Sequence, residues 1–196
     1  VVAQAGIAVP PSVVVRWGME EAQILALAST LTYPLFVKPA RAGSSFGISE
    51  VQRCEEVMPA VRLARQHDSK VIVEEAVDGF EVGCAVLGND WLVMGEVDEI
   101  ELTEGFFDYA EKYTLRTSRI HMPARISRGT AARIKQAAAT IYRALECRGL
   151  ARVDLFLTPG EQIIFNEVNT IPGFTAHSRY PNMMKGIGIG FVELLD

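Results

Sequence analysis

The sequence predicts an α+β fold. Helix-like and strand-like patterns alternate along the first part of the chain, and antiparallel hairpin patterns follow in the second part. The balance of 49% apolar and 22% charged residues is that of an ordinary globular protein. No internal repeat indicates a solenoid or a propeller. A break in composition near residues 96–105 divides the chain into two expected subdomains, residues 1–95 and 96–196.

Residues 1–76 are expected to form three strands and two helices. The strands are short apolar runs bounded by proline or polar residues, and the helices carry apolar residues at spacings of three and four. Pro10 and Pro11 mark the beginning of the first strand. The predicted strands are Ser12–Arg16, Tyr33–Lys38 and Val71–Ala76, and the predicted helices are Met19–Leu31 and Glu55–Arg65.

Residues 77–196 are expected to form two hairpins and a long helix. The turns lie at residues 88–90 and at Pro159 and Gly160. Residues 105–115 are polar and aromatic without a clear period, which is typical of a long functional loop. The predicted strands are Phe80–Leu87, Trp91–Ile100, Leu150–Leu157 and Gln162–Val168, and the predicted helices are Thr130–Leu145 and a short one beginning at Pro181.

Charge and apolar content exclude several classes of function. The net charge of -5 argues against sequence-independent binding of nucleic acid. No apolar run reaches the ~18 residues of a membrane span. Three scattered cysteines form neither a disulfide framework nor a zinc site, so a reducing, cytoplasmic setting fits best. Because the chain starts at Val1 and ends within an expected amphipathic helix, we expect a fragment of a longer protein.

Polar side chains cluster on the second hairpin. Since side chains alternate between faces along a strand, Arg152 and Asp154 share one face, and Glu167 and Asn169 share one face of the partner strand. A turn at residues 158–161 would pair Arg152 with Glu167 and Asp154 with Phe165, with the four polar groups on one face. Two carboxylates and an amide oxygen suit a hard cation such as Mg2+. The alternative is an exposed Arg152–Glu167 salt bridge.

A lysine followed by a loop of small residues predicts a phosphate site. Lys38 ends a strand, and the segment from Arg41 to Gly47 offers backbone N–H groups and the hydroxyls of Ser44 and Ser45. The segment is not a Walker A loop, because no Gly-Lys-Ser/Thr opens a helix. The alternative is a flexible connection between two strands.

Two further segments are candidates for ligand contacts. Glu74 and Glu75 end an apolar strand, where a carboxylate can accept hydrogen bonds from a nucleoside, and the alternative is an exposed strand end. Residues 106–113 mix aromatic and charged side chains, which suits either a lid that excludes water or a surface loop with aromatic anchors.

The loop after the second hairpin carries groups that suit an anion. Gly173 permits close approach to its backbone N–H, and Ser178 and Arg179 can hold a carboxylate. His177 lies between them without a recognisable partner, so we assign it no role.

Together these segments resemble the D-alanine–D-alanine ligase family of ATP-grasp enzymes. The matching stretches follow the family order and are FVKPARAGSSFGIS, VIVEEAVDGFEVGCAVLG, GFFDYAEKYTL, CRGLARVDLFL and IIFNEVNTIPGFTAHSRYPNMM. The last stretches are most similar to the vancomycin-resistance branch, particularly the D-alanine–D-serine ligases. The resemblance implies two α+β subdomains with the nucleotide between them and a family N-terminal domain that this sequence lacks.

The resemblance also implies roles for individual residues in nucleotide binding. Lys38 and Lys112 would contact the ATP phosphates, and Glu81 would hold the ribose. Ser44 would lie over the phosphates and substrate, where Tyr113 would contact it and close the site. The complete set implied for ATP is Lys38, Ser45, Glu74, Glu75, Ala76, Val77, Glu81 and Lys112.

Metal and substrate contacts are implied in the second half of the chain. Two Mg2+ ions, which Mn2+ could replace, would bind to Asp154, Glu167 and Asn169. Arg152 and the Gly173 N–H would stabilise the tetrahedral intermediate. Ser178 and Arg179 would receive the carboxylate of the acceptor.

The implied activity is an ATP-dependent ligation of D-alanine to a second D-amino acid through an acylphosphate. D-serine ranks slightly above D-alanine as the acceptor, and both rank well above D-lactate. The reaction would serve peptidoglycan precursor synthesis or glycopeptide resistance, in a cytoplasmic protein whose full-length form is a homodimer. We expect the fragment alone to be inactive. The alternatives are a non-catalytic nucleotide-binding fragment and another ATP-grasp carboxylate–amine ligase.

Overall fold

A computed structural model describes residues 1–43, 45–102 and 118–196. The chain divides into two compact units, each with its own sheet. The N-terminal unit contains Pro10–Val77, and the C-terminal unit contains Val1–Val9, Asp78–Glu101 and Arg119–Asp196. Within the described part of the chain, no helix combines the length and the apolar content needed to cross a membrane.

The N-terminal unit is a four-stranded antiparallel sheet in the order β1-β4-β2-β3 with two helices packed against it. Apolar residues at alternate positions of each strand form its core, as Leu35 and Val37 do on β2. A capping box between Glu20 and Gln23 starts the first helix. The elements are β1 Ser12–Val15, α1 Glu21–Ala28, β2 Leu35–Pro39, β3 Ser49–Val51, α2 Cys54–Ala64 and β4 Val71–Glu75.

The C-terminal unit contains a five-stranded sheet in the order β7-β6-β5-β8-β9. Helix α3 packs on one face through Ile134, Ile141 and Tyr142, and helix α4 packs through Tyr180 and Met183 against the residues of the other face. The elements are β5 Phe80–Gly88, β6 Leu92–Leu102, β7 Ser118–His121, α3 Arg128–Ala144, β8 Leu150–Leu157, β9 Ile163–Asn169 and α4 Arg179–Gly186.

The α+β class is confirmed, and most predicted elements lie within a few residues of the observed ones. The short strands β3 and β7 were not predicted, because three or four residues are too few to show a period. The expected amphipathic helix at the end of the sequence is not formed, and residues 191–195 form turns. At the beginning of the chain, Gly6 ends the 3-10 helix Ala3–Ala5 with φ of 82°.

The division between the units differs from the expected boundary at residues 95 and 96. Strand β5 pairs along its length with β8 and also with β6, so residues 78–95 belong to the C-terminal unit. A change in composition along the chain does not reveal this pairing, because the residues that pair are about seventy positions apart. The predicted loop at residues 105–115 lies outside the described residues.

Candidate active site

Acidic residues lie in one row across the sheet of the C-terminal unit. Asp98 on β6 is opposite Gly83 on β5, Gly83 is opposite Asp154 on β8, and Asp154 is opposite Glu167 on β9. Since residues directly opposite each other in a sheet point to the same face, Asp98, Asp154 and Glu167 share a face. Arg152 and Asn169 form the neighbouring pair on the same two strands.

The predicted pairing of β8 with β9 was wrong, although the predicted sharing of a face is confirmed. Leu157 pairs with Ile163, and an irregularity next to Asp154 shifts the register by one further residue. Glu167 therefore lies opposite Asp154 and not opposite Arg152. A bulge of this kind adds one residue to a strand and redirects the side chains beyond it. The shift brings the two carboxylates closer together than the predicted register would.

Arg179, in the first turn of α4, is surrounded by the carboxylates of this row. Its Nε and Nη2 donate to the two carboxylate oxygens of Asp98 at 2.7 Å each. Its Nη1 donates to Glu81 at 3.1 Å and lies 3.4 Å from an oxygen of Asp154. Only 9% of the side chain is exposed, and Asp98 is fully buried. Burial by itself would lower the pKa of Arg179, but the carboxylates outweigh it and hold the pKa well above its ordinary value.

A glycine makes room for this guanidinium. A β-carbon at Gly83 would lie 2.5 Å from Nη2 of Arg179 and 2.7 Å from Oδ1 of Asp98. Neither distance is compatible with a methyl group, so the pairing of Arg179 with Asp98 requires glycine between Asp98 and Asp154 in the row. Gly83 and Asp98 were not predicted from the sequence. The one available signal was the presence of four acidic residues among the six positions 96–101 of β6, which is unusual for a strand in the middle of a sheet.

Arg152 holds Asp154 in place. Its Nε donates to both oxygens of Asp154, at 2.8 and 2.9 Å, and its Nη2 donates to one of them at 2.7 Å. Burial would lower the pKa of Arg152, but the adjacent carboxylate outweighs it and the pKa is raised. The predicted alternative, a salt bridge between Arg152 and Glu167 on a solvated face, is not formed, since the partner of Arg152 is Asp154, which is 1% exposed.

The predicted metal ligands differ in exposure. Asp154 is buried, Glu167 is exposed, and Asn169 is half-buried with its side-chain oxygen accepting from the backbone N–H of Ile171. Two carboxylates on directly paired strand positions, with an amide oxygen on the same strand as one of them, form an all-oxygen donor set that fits Mg2+. Among the described residues, no group of three or more histidine, cysteine, aspartate or glutamate side chains is arranged to hold a metal.

The predicted acceptor residues Ser178 and Arg179 lie at the start of helix α4. Ser178 is the residue that precedes the helix, and its Oγ accepts from the backbone N–H of Thr175 at 3.1 Å. A β-carbon at Gly173 would lie 3.0 Å from Oγ of Ser178, so these two residues lie close together. A cavity of about 460 Å³ lies at helix α4, and the residues that line it are Ile120, Met122, His177, Arg179, Asn182, Lys185 and Gly186.

The position of Arg179 differs from its predicted role. Its three hydrogen bonds to Asp98 and Glu81 use most of its donors inside the protein. The guanidinium of Arg179 is therefore engaged within the protein, and the role of Ser178 as a partner of a carboxylate ligand stays a prediction. Glu81, expected at the ribose, has its Oε1 3.1 Å from Nη1 of Arg179.

Most of the predicted phosphate and adenine residues lie in the N-terminal unit. Nζ of Lys38 is 2.6 Å from Oε1 of Glu74, with 18% and 13% of the two side chains exposed. Glu75 accepts from the N–H of Thr32 at 2.8 Å, and the N–H of Ala76 donates to the carbonyl of Pro34. The half-buried Val77 follows, and Ser45 has φ of 58°. Ser44, Lys112 and Tyr113 lie outside the described residues.

The fold places the chain in the ATP-grasp class. It is similar to the VanG D-Ala:D-Ser ligase from Enterococcus faecalis, with a TM-score of 0.91 and 61% identity over 100% of this chain and 57% of that chain. The D-alanine-D-alanine ligase from Coxiella burnetii matches with a TM-score of 0.83 and 31% identity, over 100% of this chain and 52% of that chain.

The particular family follows from the sequence. The family model described as D-ala D-ala ligase C-terminus matches residues 1–196, and the chain belongs to that family. The vancomycin/teicoplanin A-type resistance protein VanA of Enterococcus faecium is 51% identical over 87% of this chain and 51% of its own length. The D-alanine--D-alanine ligase of Chlorobium phaeovibrioides is 46% identical over 100% of this chain and 55% of its own. The chain spans about half the length of these curated relatives.

Proposed function

We propose that this chain forms the nucleotide-, metal- and acceptor-binding part of an ATP-dependent ligase that joins D-alanine to D-serine. The observation that carries the proposal is the row on the sheet, in which Arg152 holds the buried Asp154 directly opposite Glu167. This arrangement presents oxygen ligands for a hard cation beside a fixed guanidinium. Membership of the D-ala D-ala ligase C-terminus family supports the choice of reaction.

The chemistry proceeds in two steps. The carboxylate of D-alanine attacks the γ-phosphorus of ATP, which gives an acylphosphate and ADP. The amine of the acceptor then attacks the acyl carbon, loses a proton and displaces phosphate. Mg2+ at Asp154, Glu167 and Asn169 would neutralise charge on the transferring oxygens. Arg152 and the N–H of Gly173 stabilise the oxyanion that forms when the amine adds.

D-serine is the proposed acceptor because the sequence is 61% identical, over 57% of that chain, to a chain described as a D-Ala:D-Ser ligase. A site that hydrogen-bonds the hydroxyl of D-serine discriminates against an acceptor without it by about 1–3 kcal/mol. The stretch Glu111-Lys112-Tyr113 resembles the corresponding stretch of ligases that use an amine as the acceptor. This resemblance favours D-serine and D-alanine over D-lactate as the acceptor. Because the reaction consumes ATP, we propose a cytoplasmic location.

A competition assay tests the acceptor. The longest natural polypeptide that contains this sequence is given saturating D-alanine with equal D-serine and D-lactate at neutral pH, and the dipeptide and depsipeptide products are separated by chromatography. We expect alanyl-serine to dominate. A dominant alanyl-lactate product would refute the argument from Lys112 and Tyr113. Formation of alanyl-alanine alone would refute the ranking of D-serine and leave the ligase assignment intact.

A second candidate is nucleotide binding without turnover. The chain spans about half the length of its relatives, and a two-substrate reaction depends strongly on how both substrates are positioned. We expect the 196-residue chain by itself to bind Mg-ATP and to release little phosphate in the presence of D-alanine and D-serine. Phosphate release by this chain at the rate of the longer polypeptide would contradict that expectation.

A further inference from the structure

The turn between α2 and β4 contacts residues 41–47, here called the small-residue segment, on both sides of Ser44. Arg41 lies before Ser44, and Phe46 and Gly47 lie after it. Their contacts are His67 and Asp68, which follow the last residue of α2. We call Arg41, His67 and Asp68 the brace. None of the three residues of the brace is among the nucleotide contacts proposed above.

The first contact of the brace is a bidentate ion pair. Nε and Nη2 of Arg41 donate to the two oxygens of Asp68 at 3.0 and 2.6 Å. Asp68 also accepts from the backbone N–H of Lys70, and its side chain is only 5% exposed. Hydrogen bonds from Arg41 and from the N–H of Lys70 hold the pKa of Asp68 well below its ordinary value, so this carboxylate is charged at neutral pH. Asp68 is therefore a fixed anchor, and Arg41 is the side chain that it orients.

The second contact lies on the other side of Ser44. The ring centroids of Phe46 and His67 are 6.0 Å apart. Gly47 has φ of 72°, and a β-carbon at this position would lie 2.5 Å from Cδ2 of His67. The backbone at Gly47 thus passes close to the imidazole ring, in a conformation that favours glycine. The N–H of Phe46 also donates to the carbonyl of Gly43 at 3.3 Å.

We propose that Arg41, His67 and Asp68 are positioning residues that hold the small-residue segment in the conformation that binds the phosphates of a nucleotide. The inference rests on the proposed function, because it assumes that the segment contacts phosphate. A loop of small residues loses conformational entropy when it orders around a ligand, and a loop that is already held loses less. The brace acts through the segment, since neither Arg41 nor Asp68 needs to touch the nucleotide.

The test measures the affinity of the 196-residue chain for Mg-ATP and for adenosine by calorimetry. The variants are Arg41→Ala, Asp68→Asn and the double variant. The matched control is Arg53→Ala, because Arg53 is an equally exposed arginine of the same unit that pairs with Glu56 at 2.9 Å outside the segment. We expect each single variant to bind Mg-ATP about fivefold more weakly, and adenosine unchanged, with the control equal to wild type. We expect the double variant to be no weaker than either single one, because the two residues act as one pair.

A merely structural role would produce a different result. Equal weakening of Mg-ATP and adenosine, in step with a lower melting temperature, would overturn the inference, and so would additive losses in the double variant. If wild type binds Mg-ATP and the brace variants bind it equally well, the inference fails and the proposed function stands. If wild type does not bind Mg-ATP at all, both are overturned.

Discussion

Replacing Gly83 with alanine would place a methyl group among three side chains. The new β-carbon would lie 2.5 Å from Nη2 of Arg179, 2.7 Å from Oδ1 of Asp98 and 2.8 Å from Cε of Met183. Met183 can move, since only the end of its chain is affected. Arg179 and Asp98 cannot both keep their positions, because ordinary contact distances between such atoms are about 1 Å longer than 2.5 and 2.7 Å. The guanidinium must therefore leave the position in which it pairs with Asp98 and Glu81.

The expected loss can be estimated from these contacts. Overpacking a close-packed core costs about 1–3 kcal/mol, and a hydrogen bond to a charged group contributes about 1.5–3 kcal/mol. Partial relaxation of the arginine leaves a net loss of about 3 kcal/mol. For a chain of this size, each kcal/mol lowers the melting temperature by about 2–4 °C, so the midpoint should fall by about 6–12 °C.

Thermal unfolding followed by circular dichroism measures this loss. The matched control is Gly190→Ala, since nothing lies within 4 Å of a β-carbon at Gly190. The control should melt within a degree or two of wild type, because substitutions away from packed features change stability little. If Gly83→Ala has the same melting temperature as Gly190→Ala, the pairing of Arg179 with Asp98 across Gly83 is refuted.

Two other predictions concern the metal site and acid stability. Glu167→Gln should weaken Mg2+-dependent nucleotide binding about tenfold, with the exposed Glu193→Gln as its control, and unchanged binding by calorimetry would refute the metal assignment. The pKa of Glu99 is lowered, because hydrogen bonds from Arg125 outweigh the effect of burial. When the pKa of a carboxyl is lower in the folded protein than in the unfolded chain, its ionised form stabilises the fold. This contribution is complete above the ordinary pKa of 4.5 and is lost as the pH falls through the lower, folded-state pKa. Arg125→Ala should therefore reduce the drop in melting temperature between pH 5 and pH 3, and an undiminished drop would contradict this reasoning.

Sequence patterns were sufficient for most of the helices and strands and for the family. The apolar period of α3 and the alternation along β8 are local properties, so they could be read without knowing any tertiary contact. The sharing of a face by Arg152, Asp154, Glu167 and Asn169 followed from the same alternation. The close approach of Gly173 to Ser178 also agrees with their few residues of separation.

The register between strands could not be read from the sequence. One irregularity next to Asp154 changes which residue is opposite which, and alternation along each strand is the same on either side of it. Strands β3 and β7 were missed because their identity depends on pairing with neighbours and not on a period of their own.

Only the tertiary structure decided what Arg179 does. In the sequence this arginine follows Ser178 and suggests a ligand contact, whereas in the fold it pairs with Asp98, which lies 81 positions earlier. Such a pair exists because strand pairing and the packing of α4 bring Asp98, Gly83 and Arg179 to one place. Local sequence patterns predict on which face of a strand or helix a side chain lies. The free energy of a buried charge depends instead on partners that are distant in the sequence and close only in the fold.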